Sequence, residues 1–242
     1  MTIYLGIWKI LATLKEYIMT YLWNFNISKE KFYEFGLMET IYPPIELVDS
    51  YWEDLKFRLF NNQPVTIRGY GRDAHGTELY IQLHKELFGN ENIIKDPTNN
   101  AKPQKIMESL TGFKRRKNLL NYQVSHVFGK TRNALLFEAP WNIVLIPKII
   151  DPLTGHESKG DWGREYQELF LETVSQRYSY FIEDYNKICE EYISQEKIDR
   201  FIEEKAPMII DTYSSPKKKL QLLKDFRNDF SKIEIKKIEV IK

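Results

Sequence analysis

Residues 121–158 read NYQVSHVFGKTRNALLFEAPWNIVLIPKIIDPLTGHES, and they contain two short apolar runs separated by a polar loop. His126 lies within the first run, Asn142 opens the second, and Asp151 and His156 follow in a turn. Short runs rich in β-branched residues and bounded by Gly, Pro and Asn favour strands. The stretch therefore predicts a strand, a loop, a second strand, a turn and the approach to a long helix.

Helical periodicity dominates the chain on both sides of this unit. An apolar stripe from Ile3 to Trp23 predicts a packed amphipathic helix, with a membrane-surface helix or a dimer face as alternatives. Further helices are predicted at 29–35, 45–60, 77–88, 101–110, 165–193, 195–210 and 216–233, and a strand at 65–70. The predicted fold class is α+β, with a small core embedded between helix-rich N- and C-terminal parts. Boundaries near Gly112 and Gly160 divide the chain into residues 1–112, 113–170 and 171–242.

The charge of the chain is nearly balanced overall but unevenly distributed. With a net charge of +1 over 242 residues, the whole molecule does not indicate a nucleic-acid partner. From residue 102 to residue 137, however, Glu108 is the single acid among eight basic residues, whereas acids dominate residues 160–206. This asymmetry predicts a local positive patch, for which a solvated basic surface is the alternative interpretation.

Cysteine content and the N-terminal segment bear on the cellular compartment in which the protein is expected. Cys189 is the single cysteine, so neither an intrachain disulfide nor a cysteine-based zinc site can form, which fits a reducing environment. Lys9, Lys15 and Glu16 interrupt the N-terminal apolar stripe, which is too short in uninterrupted length to span a membrane. Without a recognisable secretion signal, we expect a cytoplasmic protein with no membrane partner.

The polar residues of the central stretch suit the hydrolysis of a phosphodiester bond. That reaction needs an activated water and a cation that neutralises the developing negative charge. A histidine with an ordinary pKa of about 6.5 can accept the proton of the water at neutral pH. A hard cation such as Mg²⁺ prefers oxygen ligands and binds the substrate phosphate directly. His126 and Asp151 satisfy both requirements.

These residues resemble the HNH (ββα-metal) nuclease motif. In that family a histidine on the first strand is the general base, an Asn at the start of the second strand holds the loop, and a residue at the start of the following helix binds the metal. The resemblance covers residues 122–169, with Asp151 nine positions after Asn142. It implies His126 and Asn142 as catalytic residues, and Asp151, Ser125 and His156 as metal ligands.

The resemblance further implies an endonuclease of restriction or phage-defence type that acts on double-stranded DNA, depends on Mg²⁺ or Mn²⁺, and can form a homodimer. Two departures stand out. Ser125 occupies the position where most family members carry a metal-binding Asp or His. The zinc-binding cysteine pairs of many HNH proteins are also absent, so packing of Phe137, Trp141 and Trp162 is expected to hold the core.

Basic residues near the motif are candidates for contacts with nucleic acid, since phosphate contacts position a duplex without reading its sequence. The loop residues Lys130 and Arg132 are expected to face the scissile backbone, and Arg68 and Arg72 could read bases. Adjacent phosphates would be tracked by a run of four cations, Lys114, Arg115, Arg116 and Lys117.

Alternative interpretations exist for the site and for the whole chain. His126 could be a buried structural histidine, and Asp151 could simply cap a turn. The C-terminal sequence IEIK at 233–236 resembles the E-x-K strand of another nuclease class but has no convincing partner acid upstream. The protein could also be a catalytically silent DNA-binding protein or a helical protein-interaction module.

Overall fold

The computed structural model describes residues 27–154 and 160–234, and within them the chain folds as an α+β protein. The predicted helix from Ile3 to Trp23 and the last two residues of the IEIK sequence lie outside the described residues. In chain order the elements are α1 (Lys29–Met38), α2 (Ile45–Phe60), β1 (Val65–Ile67), α3 (Ala74–Phe88), β2 (Ile93–Lys95), α4 (Ala101–Thr111), β3 (Tyr122–His126), α5 (Ala134–Phe137), a 3-10 turn (Pro140–Asn142), β4 (Ile143–Pro147), α6 (Asp151–Thr154), α7 (Asp161–Arg177), α8 (Ser179–Tyr192), α9 (Gln195–Thr212) and α10 (Pro216–Asp229).

Side-chain caps explain where several helices begin. The hydroxyl of Ser28 accepts a hydrogen bond from the amide of Lys31 and starts α1, as its sequence predicts. α3 begins three residues earlier than the predicted Thr77, because the carboxylate of Asp73 accepts a hydrogen bond from the amide of Gly76. The predicted bounds of α2 are confirmed.

Four short strands form two separate two-stranded sheets. β1 and β2 pair in parallel, with α3 as the crossover between them. β3 and β4 pair antiparallel, so that Tyr122 lies opposite Pro147 and His126 opposite Ile143. β1 is shorter than predicted because the next three amides bind groups outside the sheet. The amide of Arg68 donates to the carbonyl of Thr131, that of Gly69 to the side chain of Asn99, and that of Tyr70 to a threonine hydroxyl.

The helix predicted over 165–193 is divided in two at Tyr178. This residue leaves the helical conformation, its ring is fully buried, and its hydroxyl donates to the carbonyl of Pro43 at 2.8 Å. α10 likewise ends at Asp229, before the predicted residue 233. The first difference coincides with a contact between distant parts of the chain.

A large apolar core collects buried residues from all three predicted parts of the chain, from Tyr33 to Ile233. Trp52 and Trp141 meet there edge to face, with ring centroids 5.5 Å apart. Phe137 is also fully buried, and Trp162 is half-buried against the core. A smaller apolar cluster joins α4 to β3 and β4. In the described residues, no helix has the length and apolar character needed to cross a membrane.

Candidate functional site

His126 is the last residue of β3, and its ring is held against the loop that follows. Its Nε2 lies 3.0 Å from the carbonyl oxygen of Phe137, and the ring stacks on that of Phe137 with centroids 5.3 Å apart. Because a carbonyl oxygen can only accept, Nε2 carries the proton of the neutral imidazole. Nδ1 therefore has the lone pair, and it accepts no hydrogen bond from the part of the chain that the structure describes.

The surroundings of His126 keep it neutral. Burial, with a smaller contribution from the positive charge of Arg68, lowers the pKa of His126 to about 4. The hydrogen bond to the carbonyl of Phe137 and the carboxylate of Asp96 oppose this shift. Arg68 comes close because its amide donates to the carbonyl of Thr131 in the loop between β3 and β4. At neutral pH the imidazole is thus available to accept a proton at Nδ1. An anionic phosphate placed beside it would raise the pKa and make it a stronger base.

Asn142 holds the loop between the two strands. It is fully buried; its Oδ1 accepts from the amide of Phe128 at 2.8 Å, and its Nδ2 donates to the carbonyl of Leu136 at 2.8 Å and to that of Gly129 at 3.4 Å. Its own carbonyl accepts from the amide of Val127. One side chain thus joins the beginning of the loop to its end, which is the loop-holding position that the resemblance implies for this residue.

Two further buried side chains hold the same loop, one within it and one on α3. Asn133 caps α5 through the amide of Leu135 and donates to the hydroxyl of Tyr185. His84 on α3 is paired at both ring nitrogens, since Nδ1 donates to its own helix and Nε2 accepts from the amide of Ala134 at 3.0 Å. Burial lowers the pKa of His84 to about 4, so it is a neutral structural residue.

Of the three predicted metal ligands, the described residues include Asp151 and Ser125. No group of three His, Cys, Asp or Glu side chains that could hold a metal ion occurs in 27–154 or 160–234. Asp151 is the first residue of α6, whereas His156 lies outside the described residues. Ser125 neighbours His126 on β3, and strand alternation places the two side chains on opposite faces of the sheet. That geometry weighs against Ser125 as a ligand beside His126.

Residues that contact a DNA backbone are expected to face outward. Arg132 and Lys130 instead face other parts of the protein. Arg132 binds the buried carboxylate of Asp229 at 2.5 Å and lies over the rings of Tyr70 and Tyr80, while Lys130 binds the carbonyl of Asn228. Burial raises the pKa of Asp229, and Arg132 supplies the compensating charge. The two cations therefore join the loop to the end of α10, a contact across 97 positions in sequence for Arg132.

The other predicted basic residues stay at the surface. Arg68 and Arg72 are exposed beside the turn after β1, and Arg115 is half-buried in the loop before β3. Three exposed cations complete that loop: Lys114, Arg116 and Lys117. No ion pair ties any of these six side chains to a carboxylate among the residues described.

Sequence reasoning missed two contributors to this region. Asp96 lies near His126 because its carboxylate caps α4, with bonds to the amides of Ala101 and Lys102. The turn cluster at 96–100 is its sequence signal, since an Asp before a helical segment predicts a cap. Lys148 follows β4 and lines a pocket with Arg115 and Arg116. An exposed lysine directly after an apolar strand carried no comparable signal.

Residues 43–235 match a family described as "Uncharacterised protein PM1201". The chain belongs to this family. The protein of Pasteurella multocida (strain Pm70) with that description is 46% identical over 169 residues, which cover 69% of this chain and 76% of the relative. No solved structure gives a significant match. The PM1201 match spans both sheets, so His126, Asn142 and Asp151 all lie within the region shared with the family.

Proposed function

We propose that this chain is a divalent-metal-dependent endonuclease that hydrolyses phosphodiester bonds of double-stranded DNA, with His126 as the general base. The observation that carries the proposal is the anchoring of the imidazole. Nε2 is fixed on the carbonyl of Phe137, in a loop that Asn142 holds rigid, so that Nδ1 presents a lone pair at the end of β3. This is the arrangement of base and supporting side chain that the HNH resemblance implies.

In this mechanism Nδ1 of His126 accepts a proton from a water molecule as its oxygen attacks the phosphorus. The bond from phosphorus to the leaving oxygen then breaks, and that oxygen takes up a proton from solvent. Asn142 positions the base through the loop and does not touch the substrate. Arg68 is close enough to His126 to influence its pKa, so it is suited to bind the scissile phosphate.

The proposed cation is Mg²⁺ or Mn²⁺. Mg²⁺ is bound in many enzymes through one or two protein ligands, with water and substrate phosphate completing its coordination. A carboxylate such as Asp151 fits that requirement, and His156 follows it by five positions in the chain. A bound cation would neutralise charge that develops on the phosphate. We further propose that the protein acts in the cytoplasm, in restriction or phage defence. In this proposal it forms a homodimer that cuts both strands.

Cleavage of plasmid and diverse genomic DNA with Mg²⁺ or Mn²⁺ tests this function, with EDTA as the metal control. His126→Ala removes the base, and His75→Ala is the matched control because His75 is an exposed histidine on α3. We expect metal-dependent cutting by the wild type and by His75→Ala, and a loss of at least about a hundredfold in His126→Ala. Equal cutting by His126→Ala would exclude His126 as the base.

A catalytically silent DNA-binding protein is the second candidate. Ser125 in place of an acidic ligand, and the absence of a three-ligand cluster from the described ranges, favour it. Binding of a DNA duplex with a steep salt dependence, combined with no cleavage of any DNA or RNA tested, would select this function over the enzyme.

A further inference from the structure

A pocket lined by basic residues lies where the chain enters β3. Arg115 and Arg116 line one side, Lys148 lines another, and Asn121 and Tyr122 lie between them. The pocket is at the Tyr122–Pro147 end of the hairpin, whereas His126 is at the other end. It is therefore separate from the candidate catalytic site.

The loop that carries the two arginines is shaped by its own hydrogen bonds. The amide of Lys114 donates to the side chain of Asn118 at 2.6 Å, and the amide of Arg116 donates to the carbonyl of Leu119 at 3.0 Å. On the other side, the amide of Lys148 donates to the carbonyl of Asn121 at 2.8 Å. Because the backbone around the pocket is already ordered, binding a ligand there costs less conformational entropy.

Two residues of the same loop have a left-handed backbone conformation. Arg116 has a φ of 62° and Asn121 a φ of 61°, in the left-handed region that non-glycine residues seldom occupy. An arginine has no short side chain to relieve this conformation locally, and such strain tends to accumulate at ligand-binding sites. Here it falls at Arg116 and Asn121, two residues that line the pocket.

The charge of the pocket is uncompensated. Among the described residues, none of Arg115, Arg116 and Lys148 forms an ion pair, although buried or half-buried cations elsewhere, such as Arg58 and Arg132, do. In the part of the chain that the structure describes, the lining contains no acidic residue, and the hydroxyl of Tyr122 donates to the carboxylate of Glu39 at 2.7 Å. Three cations without a lining acid favour an anionic ligand.

We propose that this pocket binds a backbone phosphate of duplex DNA at a distance from the bond that is cut. From Tyr122 to His126 the strand covers about 13 Å, which corresponds to roughly four base pairs of helical rise. The position of the cut relative to this phosphate rests on the proposed function, whereas phosphate binding in the pocket does not. Lys148 thereby becomes a DNA-binding residue together with Arg115 and Arg116.

The test measures binding of a fluorescein-labelled 20-base-pair DNA duplex by anisotropy, in EDTA, over a series of salt concentrations. The protein carries His126→Ala throughout, so cleavage cannot interfere. The test variant adds Arg116→Asn and Lys148→Gln, since Asn tolerates the left-handed conformation. The matched control adds Lys217→Ala and Lys218→Ala. These substitutions replace two exposed lysines of α10 and remove the same amount of charge as the test variant.

We expect the test variant to weaken duplex binding by roughly tenfold or more at 50 mM salt, and to reduce the salt slope by about 0.9 for each lost phosphate contact. The control should retain the slope of the parent protein. The proposal would be overturned if the two double variants weakened duplex binding equally. It would also be overturned if the test variant lost as much affinity for a polyglutamate competitor as for the duplex. Normal thermal unfolding of the test variant excludes misfolding. Intact duplex binding in this test, together with no metal-dependent cleavage by the wild-type protein, would refute the nuclease alone.

Discussion

Replacing Asn142 with alanine tests whether one amide holds the loop between β3 and β4. The substitution removes the acceptor of the Phe128 amide and the donor to the Leu136 carbonyl, both at 2.8 Å, and the weaker bond to Gly129 at 3.4 Å. Alanine offers no polar atom in return. Since Asn142 is fully buried, water cannot easily replace the missing partners.

The expected cost follows from those lost bonds. A buried polar group left without a partner costs about 1–3 kcal/mol. The Leu136 carbonyl is in a buried bond and the Phe128 amide in a partly buried one, so the second cost lies at the low end. We therefore expect the free energy of unfolding to fall by about 2–4 kcal/mol, and the midpoint of thermal unfolding by roughly 5–15 °C.

Equilibrium urea denaturation followed by circular dichroism measures this change. Asn61→Ala is the matched control, because the Asn61 side chain is exposed and donates a single bond to the carbonyl of Phe57. The control should stay within about 0.5 kcal/mol of the wild type. If Asn142→Ala were as stable as this control, with the same dependence on urea, the loop would not depend on the amide. The positioning of His126 would then need another explanation.

Three further predictions concern the buried ionisable residues. The folded protein lowers the pKa of His84 to about 4, so the unfolded state takes up the proton first; stability is complete above pH 6.5 and falls by about 3 kcal/mol toward pH 4. Urea denaturation across this pH range should show that the free energy of unfolding depends less steeply on pH in His84→Gln than in the wild type. An unchanged pH dependence would contradict the assignment of His84 as a buried neutral residue. Arg132→Met should cost about 3–5 kcal/mol by leaving Asp229 unpaired, and adding Asp229→Asn should recover part of it; weaker DNA binding at normal stability would contradict this. Arg68→Ala should raise the pKa of His126 in an NMR titration, because the guanidinium lowers it; an unchanged value would separate the two residues.

The hairpin and its polar residues could be predicted because the signals are local. Alternation and turn residues locate β3 and β4, and the spacing of His126 and Asn142 places them at facing ends of the two strands. β2 could not be predicted in this way. Ile94 and Lys95 are exposed, and the segment becomes a strand through its pairing with β1, whose residues lie 28 positions earlier.

The basic residues show the same limit. A cluster of cations in sequence predicts a positive patch, and for Arg116 at the surface the prediction of a nucleic-acid contact stays open. For Arg132 the outcome depends on Asp229, which no local pattern connects to the loop. A cation that finds a buried carboxylate becomes part of the fold, because an unpaired charge inside the protein costs too much to tolerate.

The amino-acid sequence by itself determined the positions of most long helices and the β3–β4 hairpin, since caps, turns and periodicity act over a few residues. The break at Tyr178 depended on a distant contact. Only the tertiary structure decided the state of His126. Its proton sits on Nε2 because the carbonyl of Phe137 lies 3.0 Å away, and its pKa falls because packing removes water from the ring. Both effects depend on distances through space, which positions along a chain do not specify.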